Sequence, residues 1–148
     1  VVEFNCRFGD PETQAVLPLV DADFHALLAA AAAGDLGGVG LRPRSGGACC
    51  VVMASGGYPG SYEKGKPIDG LDEAGKLPDL HVFHAGTRRD AAGRVLSSGG
   101  RVLGVTGVGE GIRSAIARAY EGAGRIRFDG AHYRRDIGHR ALDREGGR

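Results

Sequence analysis

Residues 102–111 read VLGVTGVGEG, and Ile112 opens a helix-forming run, IRSAIARAYEGAG. An apolar strand, a glycine-rich turn and a helix, with Asp129 about 20 residues further on, outline a dinucleotide-binding unit. The glycine spacing does not support it. Counted from Gly107 and Gly109, the third glycine should fall at 112, which is Ile112; counted from Gly104, the second should fall at 106, which is Thr106. A small nucleotide-binding module using the turn at Gly107 is therefore the alternative. The plainer reading is a glycine-loosened turn at a helix start, in a chain with 27 glycines and no collagen-like period.

Working outward, Ile112, Ala115, Ile116, Ala119 and Ala123 recur on one helical face. Upstream, RVLSSGGRVLGVT reads as two strands folded about residues 98–100, HVFHAG as a short strand and ACCVVMAS as a continuous apolar strand. Downstream, RIRFDG reads as a last strand and AHYRRDIGHRAL as a short terminal helix. Strands followed by segregated helices predict an α+β unit of mostly antiparallel strands with one or two helices. Residues 34–47, with six glycines and a proline, have the composition of a linker. The expected division is 1–40 and 41–148. In the first part, GDPETQ predicts a loop closing onto a helix, with Asp10 as N-cap and Pro11 at the first helical position, and Pro18 interrupts or bends that helix. DADFHALLAAAAAG predicts an amphipathic helix capped by Asp21, with Phe24, Leu27, Leu28 and Ala31 on its apolar face and Gly34 as its stop.

Composition limits the function classes. Hydrophobic residues make up 42% and charged residues 25%, the balance of a globular protein, and a net charge of +1 gives no global attraction for nucleic acid. No apolar run is long enough to span a bilayer and no signal peptide opens the chain, so a cytoplasmic protein is expected. Cys6, Cys49 and Cys50 lack CxxC spacing, and all three are expected to be buried free thiols. His81 and His84 fall on opposite faces of a strand, which argues against a shared metal, with one exposed and one in the core or an interface. The tail mixes Arg134, Arg135, Arg140, Arg144 and Arg148 with Asp136, Asp143 and Glu145, a solvated or packing face rather than a nucleic-acid surface. The chain begins at Val1 and its only methionine is Met53, so a fragment is expected.

The opening stretch, VVEFNCRFGDPETQ, puts Glu3, Asn5 and Arg7 at alternate positions with apolar residues between them. In a strand these three share one face at intervals of about 7 Å. Such a row is either a solvated edge or the floor of an ionic site. As a site it has a chemical logic: a carboxylate and an amide oxygen suit a hard cation such as Mg²⁺, and a guanidinium beside them suits a phosphate or carboxylate.

EFNCRFGDPETQ resembles the metal-binding strand and adjoining loop of the phosphoribosylamine glycine ligase (glycinamide ribonucleotide synthetase) family, ATP-grasp enzymes of purine biosynthesis. VVMASGGYPGSYEKGKPI, VFHAGT, GGRVLGVTGVG and YRRDIGHRAL are similar to successive motifs of that family's C-terminal domain, in order and at similar spacing. The resemblance implies that residues 1–40 close an ATP-grasp domain and that 41–148 form the small C-terminal domain. The N-terminal part of the same enzyme, with most of the ATP-gripping region, has no counterpart in these residues. It further implies a reaction in which ATP converts the carboxylate of glycine to an acyl phosphate, which the amine of phosphoribosylamine then attacks. By position Glu3 and Asn5 would hold Mg²⁺ or Mn²⁺, Arg7 would be catalytic, and Asp10 and Glu12 would bind substrate, although capping explains Asp10 equally well. The glycine-rich turn at 104–111 would then be structural.

Overall fold

The computed structural model describes residues 6–146. In chain order its elements are α1 (Glu12–Val16), a 3-10 turn (Leu17–Leu19), β1 (Val20–Asp21), α2 (Phe24–Ala33), β2 (Arg42–Pro43), β3 (Gly47–Ala54), α3 (Leu71–Gly75), β4 (Leu80–His84), β5 (Thr87–Arg89), β6 (Val95–Ser97), β7 (Arg101–Gly109), α4 (Ile112–Arg125) and α5 (His139–Gly146). The expected α+β class is observed. β7 is the middle strand of the sheet β3-β7-β4 and runs antiparallel to both neighbours, with Val105 between Val51 and Val82.

VLGVTGVG is strand through to Gly109, not a strand ending in a glycine turn. The glycines have a packing cause. A Cβ on Gly107 would run into the Ala115 carbonyl and the Ala119 amide, and one on Gly109 into Ser114 and Ala115. Their lack of a side chain lets the backbone of α4 lie directly on the strand. Since α4 fills the space over Gly107, that glycine cannot receive a phosphate, and the nucleotide-module alternative is overturned.

Between sheet and helix sits the core. Val51, Met53, Leu103 and Val105 are buried from the strands, and Ala115, Ile116, Ala119 and Ala123 meet them from α4, the predicted helical face. On the sheet's other face, a Cβ on Gly104 would approach Cys50 Sγ at 3.2 Å and Gln14 Cγ at 3.7 Å, so α1 lies close over β7 there.

Several expectations need correction. RIRFDG is not a strand; it makes a single bridge, Arg127 to Asp69. Residues 131–138 are irregular rather than helical: His132 bridges to β3 by the exchange of backbone hydrogen bonds with Ala54 at 2.9 and 3.0 Å, and the terminal helix begins only at His139. β6 and β7 do fold about residues 98–100 but do not pair with each other; β6 pairs with β5. Sequence periodicity gives no signal for the short elements α3, β5, β1 and β2, and the last two pair with each other across the glycine-rich stretch.

In the first part, Asp10 is not a cap: Pro11 holds the N-cap position of α1, which has no side-chain cap bond. Asp23 rather than Asp21 caps α2, accepting from the Ala26 amide at 2.9 Å, and Gly34 stops it at φ 75°. α2 is not amphipathic in its burial. None of its residues is buried, Phe24 and Leu27 are half-covered, and Leu28 and Ala31 are exposed. His81 and His84 are both exposed, so neither is a core histidine, and the His84 Nδ1 shares a 3.0 Å hydrogen bond with the Thr87 hydroxyl. Cys6 is exposed, contrary to expectation, while Cys49 is buried and Cys50 half-buried.

Candidate functional site

Of the sequence-predicted residues, Glu3 and Asn5 lie outside the described residues. Arg7, Asp10 and Glu12 fall on one exposed loop that turns into α1. Arg7 donates from Nη1 to the Phe8 carbonyl at 3.2 Å. The Thr13 amide donates back to the Gly9 carbonyl at 3.1 Å and closes the loop. The Glu12 carboxylate folds over Gly9, where a Cβ would collide with it. Glycine at position 9 thus allows the acid to be carried across the loop.

Asp10 is held from two directions. Its Oδ1 accepts from Gln14 Nε2 at 2.9 Å, one helical turn along. Arg101 Nη1, from the first residue of β7, donates to the Asp10 carbonyl at 2.9 Å and lies 3.5 Å from Oδ2. Beside this contact, Pro11, Cys50, Val52, Tyr58, Arg101 and His132 help to line a largely apolar pocket of about 230 Å³. Burial pushes the Cys50 thiol above its ordinary range, the Thr106 hydroxyl pulls it back in part and the Asp10 carboxylate adds to the rise. The thiol that borders this pocket is therefore protonated and a poor nucleophile.

A larger cleft of about 470 Å³ lies between α3 and the β5–β6 hairpin, and it contains none of the predicted residues. Its arginines are engaged locally, Arg94 with Asp90 at 2.8 Å and Arg89 with the Gly93 carbonyl at 2.9 Å. The loop at 7–12 is accordingly the candidate site. Arg101 and Gln14 are the members that sequence reasoning misses. Gln14 sits at i+4 spacing from Asp10 and is findable by that spacing; Arg101, 91 residues away, carries no local signal.

Among the described residues, no group of three or more His, Cys, Asp or Glu side chains could hold a metal, and no helix is long and apolar enough to cross a membrane.

Comparison with known proteins gives a consistent result. A family model described as phosphoribosylglycinamide synthetase, C domain, matches residues 48–140. A phosphoribosylamine–glycine ligase of Synechocystis is 57% identical over 143 residues, covering 96% of this chain and 34% of the relative. The chloroplastic phosphoribosylamine–glycine ligase of Arabidopsis thaliana is 49% identical, over 96% of this chain and 27% of the relative. The crystal structure of a phosphoribosylamine–glycine ligase from Thermotoga maritima superposes with a TM-score of 0.76 at 36% identity, covering 92% of this chain and 32% of that one. The chain thus spans about a third of the length of the relatives it matches.

Proposed function

We propose, from the premise that this chain belongs to the phosphoribosylglycinamide synthetase family, that it serves as the C-terminal part of an ATP-dependent ligase joining glycine to phosphoribosylamine in purine biosynthesis. The observation that carries the reading is the 57% identity to a phosphoribosylamine–glycine ligase along nearly the whole chain. In this reading residues 1–40 are the end of an ATP-grasp domain and 41–148 the C-terminal domain. The exposed large apolar side chains support that division. Among the described residues Phe8, Val16, Leu28 and Leu36 stand open in the first part and Leu41 stands open at its boundary with the second, as expected of a surface made to be covered by the rest of the enzyme. The protonated thiols of Cys49 and Cys50 suit a reducing compartment, for which the cytoplasm is our assignment.

The roles then divide by chemistry. Glu3 and Asn5 would hold Mg²⁺ or Mn²⁺, which when bound neutralises charge on the nucleotide phosphates. Arg7 would present its guanidinium to the transferred phosphoryl group and to the acyl phosphate of glycine. Asp10 and Glu12 border the amine of phosphoribosylamine, so that its lone pair meets the acyl carbon and phosphate departs.

Two measurements test this reading. This chain alone should show no ATP hydrolysis dependent on glycine and phosphoribosylamine, since the ATP-gripping residues lie elsewhere in the enzyme; steady hydrolysis by the isolated chain would overturn it. In the complete enzyme, Glu3→Gln should lower kcat on the order of 10²-fold or more with little change in melting temperature. Turnover near wild type at ordinary Mg²⁺ would remove Glu3 from the metal site.

A further inference from the structure

From the cored part of the molecule, Arg101 reaches the candidate loop with a side-chain hydrogen bond. We propose, resting on the ligase reading above, that Arg101 is a positioning residue for the reaction: it locks the 7–12 loop to the C-terminal domain by gripping Asp10. The grip has two parts on one nitrogen, the 2.9 Å bond from Nη1 to the Asp10 carbonyl and the 3.5 Å approach to Oδ2. Gln14 takes the other carboxylate oxygen at 2.9 Å. Asp10 is thereby held at its backbone carbonyl and at Oδ1, with Oδ2 facing Arg101, and Glu12 is the freer of the two acids that border the amine.

What makes the grip directional is the fixity of its base. The Ser55 amide and hydroxyl donate to the carbonyls of Gly100 and Gly99, each at 2.8 Å, and the Gly86 amide donates to the Arg101 carbonyl at 2.9 Å. Position 100 admits only glycine because the Tyr58 ring occupies the place of its Cβ. Val102 and Leu103, next along the strand, are fully buried. The loop's own closing bond, Thr13 amide to Gly9 carbonyl, is local, and its remaining hold on the core comes from α1, which packs on β3 and β7. Arg101 is therefore the polar link that holds Asp10, between Arg7 and Glu12, beside the pocket bounded by Pro11, Tyr58 and His132. Both partners of the pair are about half exposed, so it contributes little to folding. Its effect is on placement, and a misplacement of about 1 Å in a reacting group can cost on the order of 10²-fold in rate.

The experiment compares Arg101→Met, Arg101→Lys, Asp10→Asn and the double variant Asp10→Asn/Arg101→Met in the complete enzyme. Arg101→Met should lower kcat/KM for phosphoribosylamine about 10- to 100-fold, leave KM for ATP unchanged and move the melting temperature by no more than about 2 °C. Arg101→Lys, which can still donate to the Asp10 carbonyl, should restore most of the loss. The double variant should be no worse than the poorer single one, because the residues act as a unit. Hydrogen exchange at the Thr13 amide should quicken in Arg101→Met. Wild-type kinetics in Arg101→Met, multiplicative losses in the double variant, or unchanged exchange at Thr13 would each overturn the proposal. A complete wild-type protein without ligase activity would instead overturn the functional reading, and the exchange measurement would still decide whether Arg101 holds the loop.

Discussion

Residues 8–41 and residues 47–128 are both rich in apolar side chains, yet only the second stretch hides them. Val51, Val102, Leu103 and Val105 are fully buried, whereas Phe8 is 61% exposed and Leu41 56% exposed. The difference is not one of local propensity, since α2 is a run of leucine and alanine with a good cap and a glycine stop. It lies in what each stretch has opposite it. β7 has strands on both sides and α4 across its face. α2 has little beyond the edge-to-face contact of Phe24 with Phe8, at 5.9 Å between ring centroids. A stretch with its own core and an arm without one can carry similar composition.

The sharpest way to break the comparison is Gly107→Val. The added side chain would enter backbone, at the Ala115 carbonyl and Ala119 amide, which no rotamer change relieves. A destabilisation of about 3 kcal/mol or more is expected, read as a fall in the urea midpoint. Stability within about 0.5 kcal/mol of wild type would mean that α4 does not rest on β7 as described. Removing residues 1–46 should do far less. The remaining chain should unfold cooperatively, weaker by about 1–2 kcal/mol for the surface that α1 covers. Cys50 should then label faster with iodoacetamide while Cys49 stays protected. Loss of cooperative unfolding would show that the arm is part of the core.

Much of this architecture is legible in the sequence, for identifiable reasons. β3 and α4 are readable because their burial is periodic, continuous apolar in one and helical in the other, with Ala115, Ile116, Ala119 and Ala123 all on the predicted face. The course of β7 is misread because glycine in a strand and glycine in a turn look alike; only the helix lying against Gly107 and Gly109 tells them apart. Residues 131–138 are misread as helix because what ties them down is the bridge of His132 to Ala54, far away in the chain. At the site, the loop bearing Arg7, Asp10 and Glu12 can be found from sequence, but the local pattern offers Asp10 only a cap. Of its two actual partners, Gln14 lies one helical turn away, whereas Arg101 is a tertiary neighbour that no local pattern announces.

The thiols offer a pH test confined to the core region. Cys49, buried against α4 and beside the Cys50 thiol, is raised by burial first and by that neighbour second, from 9.0 to about 11. Between these values the folded chain keeps a proton that the unfolded chain has lost. Stability is therefore intact below about pH 9 and falls as pH rises towards 11. The part due to this residue should be about 1–2 kcal/mol. Subtracting the same titration of Cys49→Ala isolates it from lysine and tyrosine ionisation; parallel curves for the two proteins would remove Cys49 as the cause. Alkylation of the native chain at neutral pH should follow exposure, with Cys6 first and Cys49 last.

The smallest effect is expected at Leu28, and it bears most directly on what the arm is for. Leu28 is 45% exposed on a helix with no buried residue, so Leu28→Ser in this chain exchanges one solvated side chain for another. Serine's weaker helix propensity costs only tenths of a kcal/mol, and the change in stability should stay within the range of ordinary surface substitutions, about ±0.5 kcal/mol. In the complete enzyme the same change should cost about 2 kcal/mol or more, because there the leucine would be covered and its loss would leave a cavity with a hydroxyl in it. The informative quantity is the difference between the two melts. Equal, negligible shifts would mean that the apolar face of α2 stays in water in the full protein and that its exposure here says nothing about a missing partner. A large shift in both would mean that Leu28 is already packed within this chain, contrary to its exposure.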